Sequence, residues 1–117
     1  MSLILFHNPR CSKSRETLAL LEQRHIHPKI ELYLQNTYTP AELQHLADKL
    51  GISDVRQMMR TKDALCDELG LDNPNLSQEA LLQAISRHSS LLERPILING
   101  NKAKIGRPPE SVLVILD

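Results

Sequence analysis

A cysteine set among arginines, serines and a histidine stands near the start of the chain, in His7-Asn8-Pro9-Arg10-Cys11-Ser12-Lys13-Ser14-Arg15. That grouping suits nucleophilic thiolate chemistry, because neighbouring cations lower a thiol pKa from its free value of about 8.5 and the thiolate is the attacking form. Upstream, Leu3-Ile4-Leu5-Phe6 is an unbroken apolar run, as expected of a central strand buried on both faces. Pro9 stops the strand. Leu18, Ala19 and Leu21 then begin an apolar helical face running to about Gln23, with Ser12 and Ser14 expected to cap its first N–H groups. Cys11 is therefore placed at or just before a helix N-terminus, where unpaired N–H groups and the positive dipole end favour a thiolate. The same groups would draw an oxyanion. A lone cysteine is commonly a small buried hydrophobe, but one flanked by Arg and Ser at a strand-to-helix turn is a poor core residue.

Spacing removes several other thiol chemistries. The residue three after Cys11 is Ser14, so no C-x-x-C redox pair can form. A phosphatase loop of the C-x5-R kind needs Arg six residues on, where Thr17 stands, and Arg15 comes too early. Two cysteines and five scattered histidines contain no C-x-x-C or H-x3-H cluster, so no metal site is expected. Cys66 lies at helical spacing with Ala64, Leu65 and Leu69 and reads as core packing rather than as a resolving thiol.

The 117 residues are expected to form a single domain, 1–117, large enough for a core without disulfides or metal. Fourteen basic and fourteen acidic side chains cancel, and only Phe6, Tyr33 and Tyr38 are aromatic, so neither the field nor the stacking platforms of a nucleic-acid binder are present. No apolar run approaches the roughly 18 residues of a membrane span, and no signal segment is evident; the chain reads as cytoplasmic, with no nucleic-acid or membrane partner.

The elements that must hold the loop follow from periodicity. Ile30, Leu32 and Leu34 alternate with Glu31 and Tyr33, predicting a second strand near 29–34, parallel to the first. Thr39-Pro40-Ala41-Glu42 is a capping box opening a helix with Leu43, Leu46, Ala47 and Leu50 on its buried face, ended by Gly51. Short helices are predicted at 54–59 and 61–69, and Ser77 opens another with Ala80, Leu81, Ala84 and Ile85 on one face. Pro95 to Ile98, then Asn99-Gly100, then Lys102 to Ile105 read as an antiparallel hairpin, and Pro108-Pro109-Glu110 starts a closing helix through Leu116. This is the element order of an α/β, thioredoxin-like (glutaredoxin-like) mixed sheet with a helical insert.

With those residues in place, the chain resembles the ArsC family of glutathione- and glutaredoxin-dependent arsenate reductases, and within it the short YfgD-like branch. The likeness rests on the His7-Asn8-Pro9-x-Cys11-x-x-Ser14-Arg15 loop, Arg60 in Met58-Met59-Arg60, Arg94 in Glu93-Arg94-Pro95 and Arg107 in Gly106-Arg107-Pro108. It implies that Cys11 is the nucleophile, that His7 and Ser14 tune its thiolate, and that Arg60, Arg94 and Arg107 bind the oxyanion. It further implies a cis Arg94-Pro95 bond, a covalent Cys11–arsenate intermediate, glutathione as co-substrate, glutaredoxin as partner, and no bound cofactor or metal. Arginine suits the task on its own chemistry, since its planar, permanently charged fork donates in pairs to a tetrahedral oxyanion. Two departures stand out: Arg10 occupies a position where resistance-type members carry a small residue, and the sequence stops at Asp117 where many of them continue. Two other readings are a glutathione-dependent thiol oxidoreductase, which leaves the three arginines without a role, and an Spx-like partner-binding regulator, against which Ser14 in place of a second cysteine counts.

Overall fold

Leu3–Phe6 forms β1, and its neighbours Leu5 and Phe6 are both buried although successive side chains on a strand point to opposite faces. The computed structural model describes residues 3–116. β1 pairs in parallel with β2 (Lys29–Glu31) and antiparallel with β3 (Ile96–Asn99), which pairs antiparallel with β4 (Lys102–Ile105). The sheet order is thus β2-β1-β3-β4, with α1 (Ser12–Gln23) connecting β1 to β2. This is the thioredoxin-like mixed α/β arrangement that the element order predicts.

The chain packs as two compact units. The first takes residues up to Gln35 and from Arg94 onward, and the second is Asn36–Glu93. In the first, Leu5, Leu21, Leu97, Val112 and Ile115 make the core, with Leu3, Leu18, Ile26 and Leu116 packed against it. Each fully buried side chain of this size contributes about 1.5–3 kcal/mol relative to exposure. The closing segment Pro109–Ile115 is a 3₁₀ helix rather than the expected α-helix, yet it buries Val112 and Ile115.

Two local expectations need correction. The second strand stops at Glu31 instead of reaching 34, and Tyr33–Gln35 is a 3₁₀ turn. The alternation placed Leu34 inside and Tyr33 outside. Instead Tyr33 is buried and stacks on Phe6, with ring centroids 6.2 Å apart and planes at 10°, while Leu34 is 46% exposed. β2 is an edge strand, so the sheet does not hold its phase, and the larger ring takes the inner place. The hairpin turn is also one residue later than Asn99-Gly100 suggested. Asn99 pairs with Lys102, so Gly100 and Asn101 make the loop and Gly100 takes φ +61°. Asn99 stays in the strand because its buried amide donates to the Ile115 carbonyl at 2.6 Å.

In the second unit, α2 (Pro40–Leu50) begins with the predicted capping box: Thr39 Oγ1 accepts from Glu42 N–H at 3.1 Å and Glu42 Oε1 from Thr39 N–H at 2.9 Å. Gly51 ends it in the left-handed region at φ +71°. The two short predicted helices are a 3₁₀ turn at Val55–Met58 and the five-residue α3 (Ala64–Glu68). α4 (Gln78–Arg87) is capped by Ser77 and packs on α2. Its buried face is Leu81, Leu82 and Ile85, so the larger Leu82 displaces the expected Ala80 and Ala84 to half-buried positions. Among the described residues no helix is long and apolar enough to cross a membrane.

Candidate active site

β1 carries the loop. Beyond Phe6, the His7 N–H donates to the Glu31 carbonyl at 2.9 Å, extending the β1–β2 pairing by one bond and fixing where the strand ends. The chain then turns back on itself: Cys11 N–H donates to the Asn8 carbonyl at 3.0 Å, and Asn8 Oδ1 accepts from Arg10 N–H at 3.0 Å. Arg15, one helical turn on, braces the loop by donating from Nη1 to the Pro9 carbonyl at 2.9 Å. Cys11 is the N-cap residue of α1, in extended conformation, and its carbonyl accepts the first helical bond from Arg15 N–H.

The caps expected from Ser12 and Ser14 are not made. The Ser14 hydroxyl, fully buried, faces back toward the strand. It accepts from Asn8 N–H at 3.0 Å and lies 2.6 Å from His7 Nδ1. Were Nδ1 the donor, the buried hydroxyl proton would find no acceptor among the described residues. The Ser14 O–H therefore donates to Nδ1, and His7 is the neutral tautomer with its proton on Nε2. Burial lowers the His7 pKa from the ordinary imidazole value, and the charge of Arg15 adds to this.

Around Cys11 opposing effects are resolved in favour of the thiolate. Partial burial pushes its pKa up, but Ser14 N–H, the Arg94 guanidinium, Lys13 N–H and the Arg107 guanidinium all pull it down, and the net shift is downward. Arg107 Nη2 stands 3.8 Å from Sγ while its Nε donates to the Arg94 carbonyl at 2.9 Å. Both flanking X-Pro bonds, Arg94-Pro95 and Arg107-Pro108, are cis. The second was not anticipated.

Cys11, His7, Ser14, Arg94 and Arg107 thus come together within one unit. Arg60 belongs to the other, where its Nη1 pairs with Asp63 at 3.3 Å and its N–H donates to the Leu91 carbonyl at 2.7 Å. Cys66, in that unit too, is buried with its S–H donating to the Arg60 carbonyl at 3.3 Å. Its pKa is raised, first by burial and then by Asp63, Asp67 and Asp72. Among the described residues, no three His, Cys, Asp or Glu side chains gather as metal ligands do.

Sequence reasoning missed Gly106 and Thr17. A Cβ on Gly106 would lie 2.7 Å from Thr17 Oγ1 and 2.8 Å from Pro95 Cγ, and Gly106 N–H donates to the Pro95 carbonyl at 2.9 Å. Thr17 is wholly buried and donates to the Lys13 carbonyl at 2.9 Å. Only a residue without a side chain lets the segment that follows β4 and carries Arg107 lie this close to α1, and the Gly106-Arg107 adjacency was the one available signal.

The sequence and the fold both match known proteins. The ArsC family matches residues 6–115. A Haemophilus influenzae protein named arsenate reductase is 69% identical over 116 residues, spanning 99% of this chain and all of its own. The chain belongs to the ArsC family. The Escherichia coli protein YfgD is 48% identical over 112 residues, covering 96% of this chain and 94% of its own. A solved structure, arsenate reductase from Vibrio cholerae, is 49% identical and superposes with a TM-score of 0.95 over 99% of this chain and 98% of that one.

Proposed function

We propose that this ArsC-family chain reduces arsenate to arsenite through a covalent Cys11–arsenate intermediate, with glutathione as co-substrate and glutaredoxin as partner. The observation that carries the reading is Cys11 at the start of α1, its pKa lowered, with Arg107 at 3.8 Å from the sulfur. The names of the relatives point to the same substrate. Arg94 and Arg107 hold the oxyanion over the thiolate, and Arg60 is assigned to the same anion on the family resemblance alone. His7 and Ser14 act through position, fixing the loop that presents Cys11.

The steps balance as follows. The Cys11 thiolate forms a sulfur–arsenic bond while one arsenic–oxygen bond breaks, the oxygen leaving as hydroxide and then water. Glutathione thiolate displaces a second hydroxyl in the same way, and arsenic is still As(V). A glutaredoxin thiolate then attacks the glutathione sulfur. A glutaredoxin–glutathione disulfide forms, and the electron pair of the broken sulfur–arsenic bond stays on arsenic as As(III). Water releases arsenite and returns the Cys11 thiol.

An internal dithiol route is disfavoured by Ser14 in place of a second cysteine and by the raised pKa of buried Cys66. Arsenate-dependent NADPH oxidation coupled through glutathione reductase, glutathione and glutaredoxin is the test. Turnover lost in Cys11→Ser and kept in Cys66→Ser supports the reading. Turnover driven by thioredoxin and its reductase alone, and abolished in Cys66→Ser, overturns it.

A further inference from the structure

The chemistry above needs a thiol from outside, and that thiol must rest beside Cys11 before it attacks. Resting on that reading, we propose that the depression lined by His7, Asn8, Arg10, Leu32, Leu34 and Gln35 is the seat of the co-substrate, a small peptide thiol bearing a free carboxylate. Three observations converge on it. The depression borders the loop that ends at Cys11, and at about 300 Å³ it lies at the lower end of the range for small-ligand sites.

His7, only 6% exposed, lines it. Since the ring's Nδ1 takes the Ser14 proton, its Nε2–H is a donor for which no partner exists among the described residues. A donor held in one tautomer, on a side chain that is otherwise buried, is suited to a carboxylate oxygen.

Arg10 supplies the matching charge. Its backbone is tied to Asn8 Oδ1, which holds it on this rim, and no acidic side chain lines the depression. Leu34, exposed because Tyr33 took the inner place, offers an apolar wall to the methylene part of a peptide.

A second groove in this unit is larger, about 470 Å³, but it is chemically wrong for an anion. It presents Glu16 and Glu110, and its Lys13 Nζ is already 3.4 Å from Glu16. The contrast separates two grooves that size alone would rank in the opposite order.

The probe is S-methylglutathione, whose thioether cannot react, titrated into the full ¹⁵N-labelled chain without arsenate. Saturable shifts at the amides of Asn8, Leu32, Leu34 and Gln35, with those of Lys13, Glu16 and Glu110 unmoved, are expected. Arg10→Ala should weaken binding about five- to tenfold, and Arg10→Lys should recover part of it. The remaining resonances report whether each variant is folded. In the coupled assay Arg10→Ala should raise the KM for glutathione and leave that for arsenate unchanged. Shifts gathered at Lys13 and Glu110, or no saturable shifts at all, would overturn the assignment even if glutathione-driven arsenate turnover is robust. Binding at this seat without any arsenate turnover would uphold the seat and count against the functional reading instead.

Discussion

Replacing Gly106 by Ala should damage the reactivity of Cys11 from a position that touches no substrate. The added methyl meets Thr17 Oγ1 at 2.7 Å and Pro95 Cγ at 2.8 Å, where about 3.5–4.0 Å is comfortable. Neither side yields easily, because Thr17 is wholly buried and bonded to Lys13, and the Pro95 ring is not a flexible chain end. Overpacking of this kind costs about 1–3 kcal/mol of stability. The larger consequence falls on Arg107, the next residue. At 3.8 Å a guanidinium and a thiolate attract by about 4 kcal/mol with an effective dielectric constant near 20, and a retreat of about 1 Å removes about 0.9 kcal/mol, or about 0.2 with full water screening. Thiolate population on the acid side of its midpoint should therefore fall about 1.4- to 5-fold. The assay is the pH dependence of Cys11 alkylation by iodoacetamide, read by mass spectrometry, beside urea unfolding of the same sample. Gly100→Ala is the control: its φ of +61° makes it destabilising, but nothing lies within 4 Å of the added methyl, so the Cys11 profile should not move. An unchanged alkylation profile and unchanged stability in Gly106→Ala would refute the reasoning.

Iodoacetamide should label Cys11 well before Cys66 near neutral pH, since one pKa is lowered and the other raised; faster labelling of Cys66 would contradict this. Arg107→Ala and Arg94→Ala should each weaken oxyanion binding by about 1.5–3 kcal/mol, seen as a raised KM for arsenate, and equal arsenate constants in all three proteins would remove them from the site. The lowered pKa of His7 means that on acidification the unfolded chain takes up this proton first, so the His7 contribution to stability is present above about 6.5 and is lost as pH falls from there through the lower folded value. The difference in urea stability between the unaltered chain and His7→Gln should accordingly shrink on going from pH 7.5 to 5, and a constant difference would show that His7 is not held neutral. Thr39→Ala breaks the capping box of α2 and should cost about 1 kcal/mol while leaving Cys11 alkylation untouched; a change in that alkylation would tie the helical unit to the thiol.

Much of the frame was legible because it is written in local signals. The apolar run 3–6, the stop at Pro9 and the helical face after it put Cys11 at a helix start, and the Thr39 box and Ser77 marked their helices to the residue. What failed depends on partners distant in sequence. The hairpin turn moved by one because Asn99 is held by Ile115, and the phase of residues 32–34 reversed because Tyr33 found Phe6. The expected caps at Ser12 and Ser14 gave way for a similar reason, since the Ser14 hydroxyl is claimed by His7 and Asn8. The resemblance named His7 and Ser14 but carried no tautomer, which follows only from the bond between them. Gly106 was invisible because a glycine needed for close approach, with φ in the ordinary range, has no signature of its own.

The most direct measurement of the central claim is protection of Cys11 by arsenate. If the thiolate and the oxyanion share one site, saturating arsenate should slow iodoacetamide alkylation of Cys11, leave that of Cys66 as it was, and lose its effect in Arg107→Ala. Alkylation of Cys11 at the same rate with and without saturating arsenate would contradict the account.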